Sequence, residues 1–184
     1  MSRQNLKRRH LMSRIVQTNI IRIILLFLAQ IWIFKQTTFS LGGIANIHFL
    51  VYPMAILLMP IKTSRSVLLI TAFFFGLALD MFYDSPGVHA AALTFTAYIR
   101  NVIIALIEPF SGYNIDDVPT IKQHSLAWFV SYISIGLLFH IFIYFSIEAF
   151  SFVYFFEIFL NSIFSFIVTF IVIMILQFIF RTKY

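Results

Sequence analysis

The sequence predicts an all-α integral membrane protein with six transmembrane helices in a single polytopic domain, residues 1–184. Three observations carry that expectation. Hydrophobic residues make up 61% of the chain and charged residues 11%, with a mean hydropathy of +0.95. A soluble domain of this size cannot hide that much apolar surface. The apolar runs are roughly 18–25 residues long and recur, whereas barrel strands would read as about ten alternating residues. Finally, the basic residues collect in short segments between those runs, as topology signals do.

The elements follow in order. Arg3, Lys7, Arg8, Arg9 and Arg14 precede the first apolar run and give the start of the chain the look of a signal peptide. The apolar part continues through Ile23–Phe34 to Lys35 with no small-x-small site after it, so an uncleaved first helix is expected over about 19–38. The second span, about 44–61, carries Pro53 and Pro60 and is expected to be kinked or tilted. Only Lys62 to Arg65 separates it from the third span, about 66–83. Asp84, Ser85, Pro86 and Gly87 then form a tight turn into the fourth, about 88–107, so these neighbours are antiparallel hairpins. A connection over 108–124, with Asp116 and Asp117, reads as a solvated connector or a docking surface. The fifth and sixth spans are expected over about 125–147 and 154–180.

With the first residues placed in the cytoplasm, ten Lys/Arg fall on the inner side and only Lys35 on the outer side. That asymmetry predicts cytoplasmic N- and C-termini and an outward Asp84–His89 turn. The basic N-terminus is expected to meet anionic lipid rather than nucleic acid, because the charge of +6 is spread over helix flanks. The absence of cysteine excludes disulfides and thiol chemistry.

Polar residues inside the spans are the candidate functional positions. Gly76, Asp80 and Asp84 are spaced i, i+4, i+8 and share one side of the third helix. An acidic side chain at a helix centre in the bilayer costs roughly 2.5–3.5 kcal/mol unless it finds a partner. The readings are a cation or proton site, contact with a partner's membrane helix, or a helix end held by the following turn. Arg100 lies about 18 Å below the start of the fourth span and is expected to meet Glu108 or a backbone carbonyl, or to snorkel. Tyr132, Gly136, His140, Tyr144 and Glu148 recur every four residues on the fifth span, as Asn161, Ser165 and Thr169 do on the sixth. Such side chains join helices by hydrogen bonds; a relay through His140 and Glu148 is the functional alternative. His48 and His89, with Asp80 and Asp84, have the chemistry of zinc ligands but no spacing that ties them together, so no metal is expected. With no P-loop, GxSxG or dinucleotide fingerprint, neither a cofactor nor an enzymatic activity is expected.

The run Gly76, Leu77, Asp80, Pro86, Gly87, His89 and Ala90, with Tyr98 farther on, resembles the rod shape-determining protein MreD family. That family has a Gly-Leu-x-x-Asp helix ending, a short Pro-Gly turn and a His-Ala or Ala-rich start to the next helix. The 108–124 loop is longer than the family leads one to expect. The resemblance implies a non-enzymatic scaffold of bacterial cell elongation and peptidoglycan synthesis in the inner membrane. Its implied partners are MreC, MreB, RodA and the class B penicillin-binding transpeptidase. On this resemblance Gly76, Asp80, Asp84, Pro86, Gly87 and His89 form a partner-binding or structural motif. The family's core is similar to the substrate-binding subunits of energy-coupling-factor vitamin transporters, which supplies the rival reading. The Ala-x-x-x-Ala docking motif of those subunits is absent from Arg22–Gln30.

Overall fold

A computed structural model describes residues 17–42, 45–114 and 117–179. The basic N-terminal residues, Asp116, Arg181 and Lys183 lie outside these, and with them the expected lipid contact of the N-terminus. Five helices are long and apolar enough to cross a membrane: α1 (Gln17–Gln36), α3 (Arg65–Tyr83), α4 (Val88–Leu106), α5 (Leu126–Ala149) and α6 (Phe155–Ile179). The chain is a multi-pass membrane protein. Between α1 and α3 lie β1 (Phe39–Leu41), β2 (Ala45–Ile47) and a single helical turn, α2 (Met54–Leu57). The two strands pair antiparallel, with Phe39 opposite Ile47 and Ser40 opposite Asn46.

The second expected transmembrane helix, 44–61, is therefore not a helix. Pro53 stands at the start of the one helical turn, where its missing N–H is no loss, and keeps helix from extending back through it. Residues 48–53 carry no helix, and Pro60 follows the end of α2. Even so, the stretch is the most buried part of the molecule. Leu50, Val51, Tyr52, Ile56, Leu57 and Leu58 are each 0–2% exposed. Non-helical backbone at membrane depth is tolerated only where protein encloses it and supplies the hydrogen bonds that helix geometry would have made.

The neighbouring helices supply those bonds. Alternate amides of Asn46, His48 and Leu50 donate to Asn161 Oδ1 (2.8 Å), Ser165 Oγ (2.9 Å) and Thr169 Oγ1 (3.1 Å) on α6. The match is one of lengths. Two residues of extended chain rise about 6.6 Å, and four residues of helix rise about 6.0 Å, so a polar side chain every fourth residue keeps step with every second amide. The stripe on α6 thus takes the place of a neighbouring strand. On the other side, Gln30 of α1 donates to the Phe49 carbonyl (2.9 Å) and accepts from the Val51 amide (3.0 Å). Gln30 also opens a π-helical turn, Gln30–Phe34, in which the Lys35 amide reaches back to its carbonyl. Farther along, the Leu58 carbonyl accepts from Arg22 (2.9 Å) and the Leu57 carbonyl from Tyr132 (2.7 Å).

These contacts give the direction of the segment. From Asn161 to Thr169, and from Gln30 to Arg22, are eight residues of helix each, about 12 Å apiece. Residues 46–58 therefore run through the bundle for about 24 Å, most of a hydrocarbon core of about 30 Å. Gln30→Leu takes the side-chain partner from four groups at once, the Phe49 carbonyl, the Tyr83 hydroxyl and the Val51 and Tyr52 amides. It is expected to lower stability by about 2 kcal/mol, read as an earlier midpoint in detergent unfolding followed by tryptophan fluorescence.

Candidate functional site

The resemblance motif closes the α3–α4 hairpin. Asp84 ends α3 in the left-handed conformation (φ 52°), and Gly87 begins α4 in the same region (φ 86°). Gly87 has no side chain to cap the free amides of α4's first turn. Asp80 does so from the preceding helix: Oδ1 accepts from the His89 amide (2.9 Å) and Oδ2 from the Ala90 amide (3.0 Å). A carboxylate at a helix N-terminus also meets the positive end of its dipole. Oδ1 further accepts from the Ser85 hydroxyl (3.0 Å) and lies 3.0 Å from His89 Nδ1. Asp80 is 5% exposed and His89 0%.

Gly76, one turn earlier on the same face, lets the helices approach this closely. A β-carbon there would sit 2.4 Å from Ala90 Cα and 2.7 Å from the Ala90 nitrogen. Gly76, Asp80 and His89 are thus brought together with Ala90 and Ser85. Asp84 and Pro86 are exposed on the turn and join no side-chain cluster. The His89 ring lies among Tyr83 (4.5 Å between centroids), Tyr144 (5.1 Å) and Tyr52 (5.3 Å).

Arg100, fully buried, meets backbone carbonyls: Leu57 from Nε (3.5 Å), and both Met59 and Pro60 from Nη2, the latter at 3.2 Å. Glu108 is not among its partners. These carbonyls end and follow α2, so the guanidinium does for the C-terminal end of the crossing segment what a C-terminal cation does for a longer helix.

His140 is also buried and sits between Thr96 and Tyr52, at 2.8 Å and 2.9 Å. Thr96 already donates to the Ala92 carbonyl (2.8 Å), so its oxygen accepts from His140 Nδ1–H. The other ring nitrogen then accepts from the Tyr52 hydroxyl. Glu148 receives a hydrogen bond from Tyr144 (3.2 Å) at the exposed end of α5 and is not joined to His140 by one. Gly136 lies against Leu57, and His48 against the rings of Tyr144 and Phe145.

Asn161 serves the backbone of the crossing segment and also lines a cavity of about 200 Å³ with Phe145, Glu148, Tyr154 and Glu157. The described residues of the 108–124 loop pack on the opposite end of the bundle. Trp128 Nε1 donates to the Ile107 carbonyl (2.9 Å), His124 stacks on the Trp128 ring (4.1 Å), and the Asp117 carbonyl accepts from the Ile61 amide (2.8 Å).

Sequence reasoning did not single out Gln30, Tyr52, Tyr83 or Ser85. Gln30 alone left a signal, an amide in the middle of an apolar run. Compared with protein-family models, characterised proteins and solved structures, the chain matches none of them.

The geometry assigns Asp80 to the inside of the fold. Asp80→Ala strands two amides and the His89 ring, and is expected to cost about 2–3 kcal/mol. Asp80→Asn, which keeps one carbonyl oxygen for the His89 or Ala90 amide, should lose about half as much in the same unfolding assay.

Proposed function

We propose that this protein is a non-enzymatic membrane scaffold of the bacterial cell-elongation machinery, resembling the MreD family. It would work beside MreC, MreB, RodA and the class B penicillin-binding transpeptidase during peptidoglycan synthesis. The observation that carries the reading is the Gly76–Leu77–Asp80–Pro86–Gly87–His89–Ala90 run. In it Gly76, Asp80, Gly87, His89 and Ala90 each have a stated physical task in closing the hairpin. The polar side chains of the bundle support the same reading, because Gln30, Asp80, Arg100, Asn161, Ser165 and Thr169 all bond to the chain's own backbone. On this proposal the 45–61 segment counts as a sixth crossing, and both termini face the cytoplasm of an inner membrane. The arrangement is then that of six spans, similar to the substrate-binding subunits of energy-coupling-factor transporters.

Those subunits also give the second reading, and the 200 Å³ cavity beside Glu148 and Glu157 is what favours it. It is smaller than the roughly 300–1,000 Å³ of ligand pockets in general. Affinity purification of the tagged protein in mild detergent, with mass spectrometry of what accompanies it, separates the two. Recovery of MreC, RodA or the transpeptidase is the expected result. Recovery of an ATPase pair with a coupling subunit would overturn it in favour of transport.

A further inference from the structure

The exposed strip of α4 that borders the start of α3, termed the groove, carries polar groups that acyl chains cannot satisfy. Tyr98 is 55% exposed. It stands ten residues beyond the start of α4, about 15 Å along a helix of about 28 Å, and so near the middle of the membrane. Tyrosines that anchor a protein to a bilayer lie at the headgroup level instead. Asn101, one turn farther and half-buried, shares the groove. Among the described residues neither the Tyr98 hydroxyl nor the Asn101 amide has a hydrogen-bond partner. The guanidinium of Arg65, exposed at the start of α3, folds back over the Tyr98 ring at 5.5 Å. The ion pair among the described residues is that of His89 with Asp80, so Arg65 faces the groove without a carboxylate.

Two further features describe what fits there. Ala91 and Ala105, both exposed, flank the polar pair, and small residues let a second helix approach closely. The positions 91, 94, 98, 101 and 105 alternate steps of three and four, the spacing of a seam between two helices crossing at about 20°. Acyl chains offer no acceptor to an amide or a guanidinium. We propose that this groove docks one transmembrane helix of another protein, which presents a hydrogen-bond acceptor, a carboxylate or a side-chain amide, opposite Asn101 and Arg65. The inference rests on the scaffold reading only in requiring a membrane partner. It moves the docking surface from the Asp80 face, which is closed, to the outer face of α4.

The chain contains no cysteine, so single cysteines can carry a photoreactive benzophenone maleimide in membranes of the native host. Val102→Cys and Ala105→Cys are placed on the groove, and Ile171→Cys on the exposed side of α6 serves as control. The expected product is an adduct at the two groove positions with a membrane-spanning peptide of another protein, bearing an acceptor within one turn of the linkage. Its yield should fall at least fivefold when Asn101→Leu is added and return with Asn101→Gln. Tyr98→Phe should lower it too, and that variant keeps the ring beneath Arg65 should Asn101→Leu fold poorly. Adducts with lipid alone or with a second copy of this chain would overturn the proposal, as would a yield indifferent to both substitutions. A peptide from MreC, RodA or the transpeptidase upholds both readings. A peptide from another membrane protein, with the same dependence on Asn101, upholds the groove while overturning the elongation assignment.

Discussion

Arg100→Met is expected to lower stability by about 4 kcal/mol, the largest loss of any single substitution in the bundle. The estimate follows from what the guanidinium leaves behind: the carbonyls of Leu57, Met59 and Pro60 would face an apolar interior with fewer donors. Hydrogen bonds to a charged group contribute about 1.5–3 kcal/mol each, and a buried acceptor stranded without one loses about 1–3 kcal/mol. Against this stands the relief of desolvating one charge, which keeps the sum well below three full bonds. Arg100→Lys should recover less than half, since an ammonium is a compact point charge and cannot fork across several carbonyls. Unfolding by denaturing detergent, followed through Trp128 at the same end of the bundle, reads both values. An Arg100→Met protein within about 1 kcal/mol of the parent would mean that the C-terminal end of the crossing segment is held some other way.

Gly76→Ala is expected to follow at about 3–4 kcal/mol, unusual for adding one methyl group. Overpacking typically costs about 1–3 kcal/mol, but here the atoms met at 2.4 and 2.7 Å belong to the Ala90 backbone and no side-chain rotation relieves them. The helices must part, and parting them stretches the Asp80 bonds to the His89 and Ala90 amides one turn away. Because the obstacle is backbone, Ala90→Gly should not rescue Gly76→Ala. Rescue in a double-mutant cycle would show that the close approach tolerates adjustment and that Asp80 is held independently of it.

The five long helices were legible because lipid demands about 20 apolar residues per crossing, and their observed bounds fall within one or two residues of those read from the sequence. The 44–61 stretch was legible as membrane-embedded and illegible as to conformation. A continuous apolar run has no period to distinguish extended chain from helix, and only Pro53 and Pro60 hinted that it was not one rod. What settles its form lies elsewhere in the sequence. Asn161, Ser165 and Thr169 were visible as a four-residue stripe, but a stripe that pairs with a helix and one that pairs with alternate amides look alike until the partner is known. Arg100 was legible as needing Glu108, a backbone carbonyl or a route to the surface, and the choice of carbonyls was not, since its acceptors are some forty residues away. The Asp80 constellation was the most legible part of the candidate site, because capping of α4 from α3 demands a fixed order: small residue, acid, turn, free amide. Gln30 left a weaker signal, a single amide in an apolar run with no spaced companion.

A non-helical segment crosses the bundle, held by side chains in place of a helix's own hydrogen bonds. Carbon-13 chemical shifts of residues 45–61, measured in the intact protein in bilayers, test it most directly. Extended-chain shifts over Ala45–Leu50, with helical shifts confined to Met54–Leu57, are the expected result. Uninterrupted helical shifts from Ala45 to Met59 would contradict it, and would leave Gln30, Arg100 and the α6 stripe without the task assigned to them here.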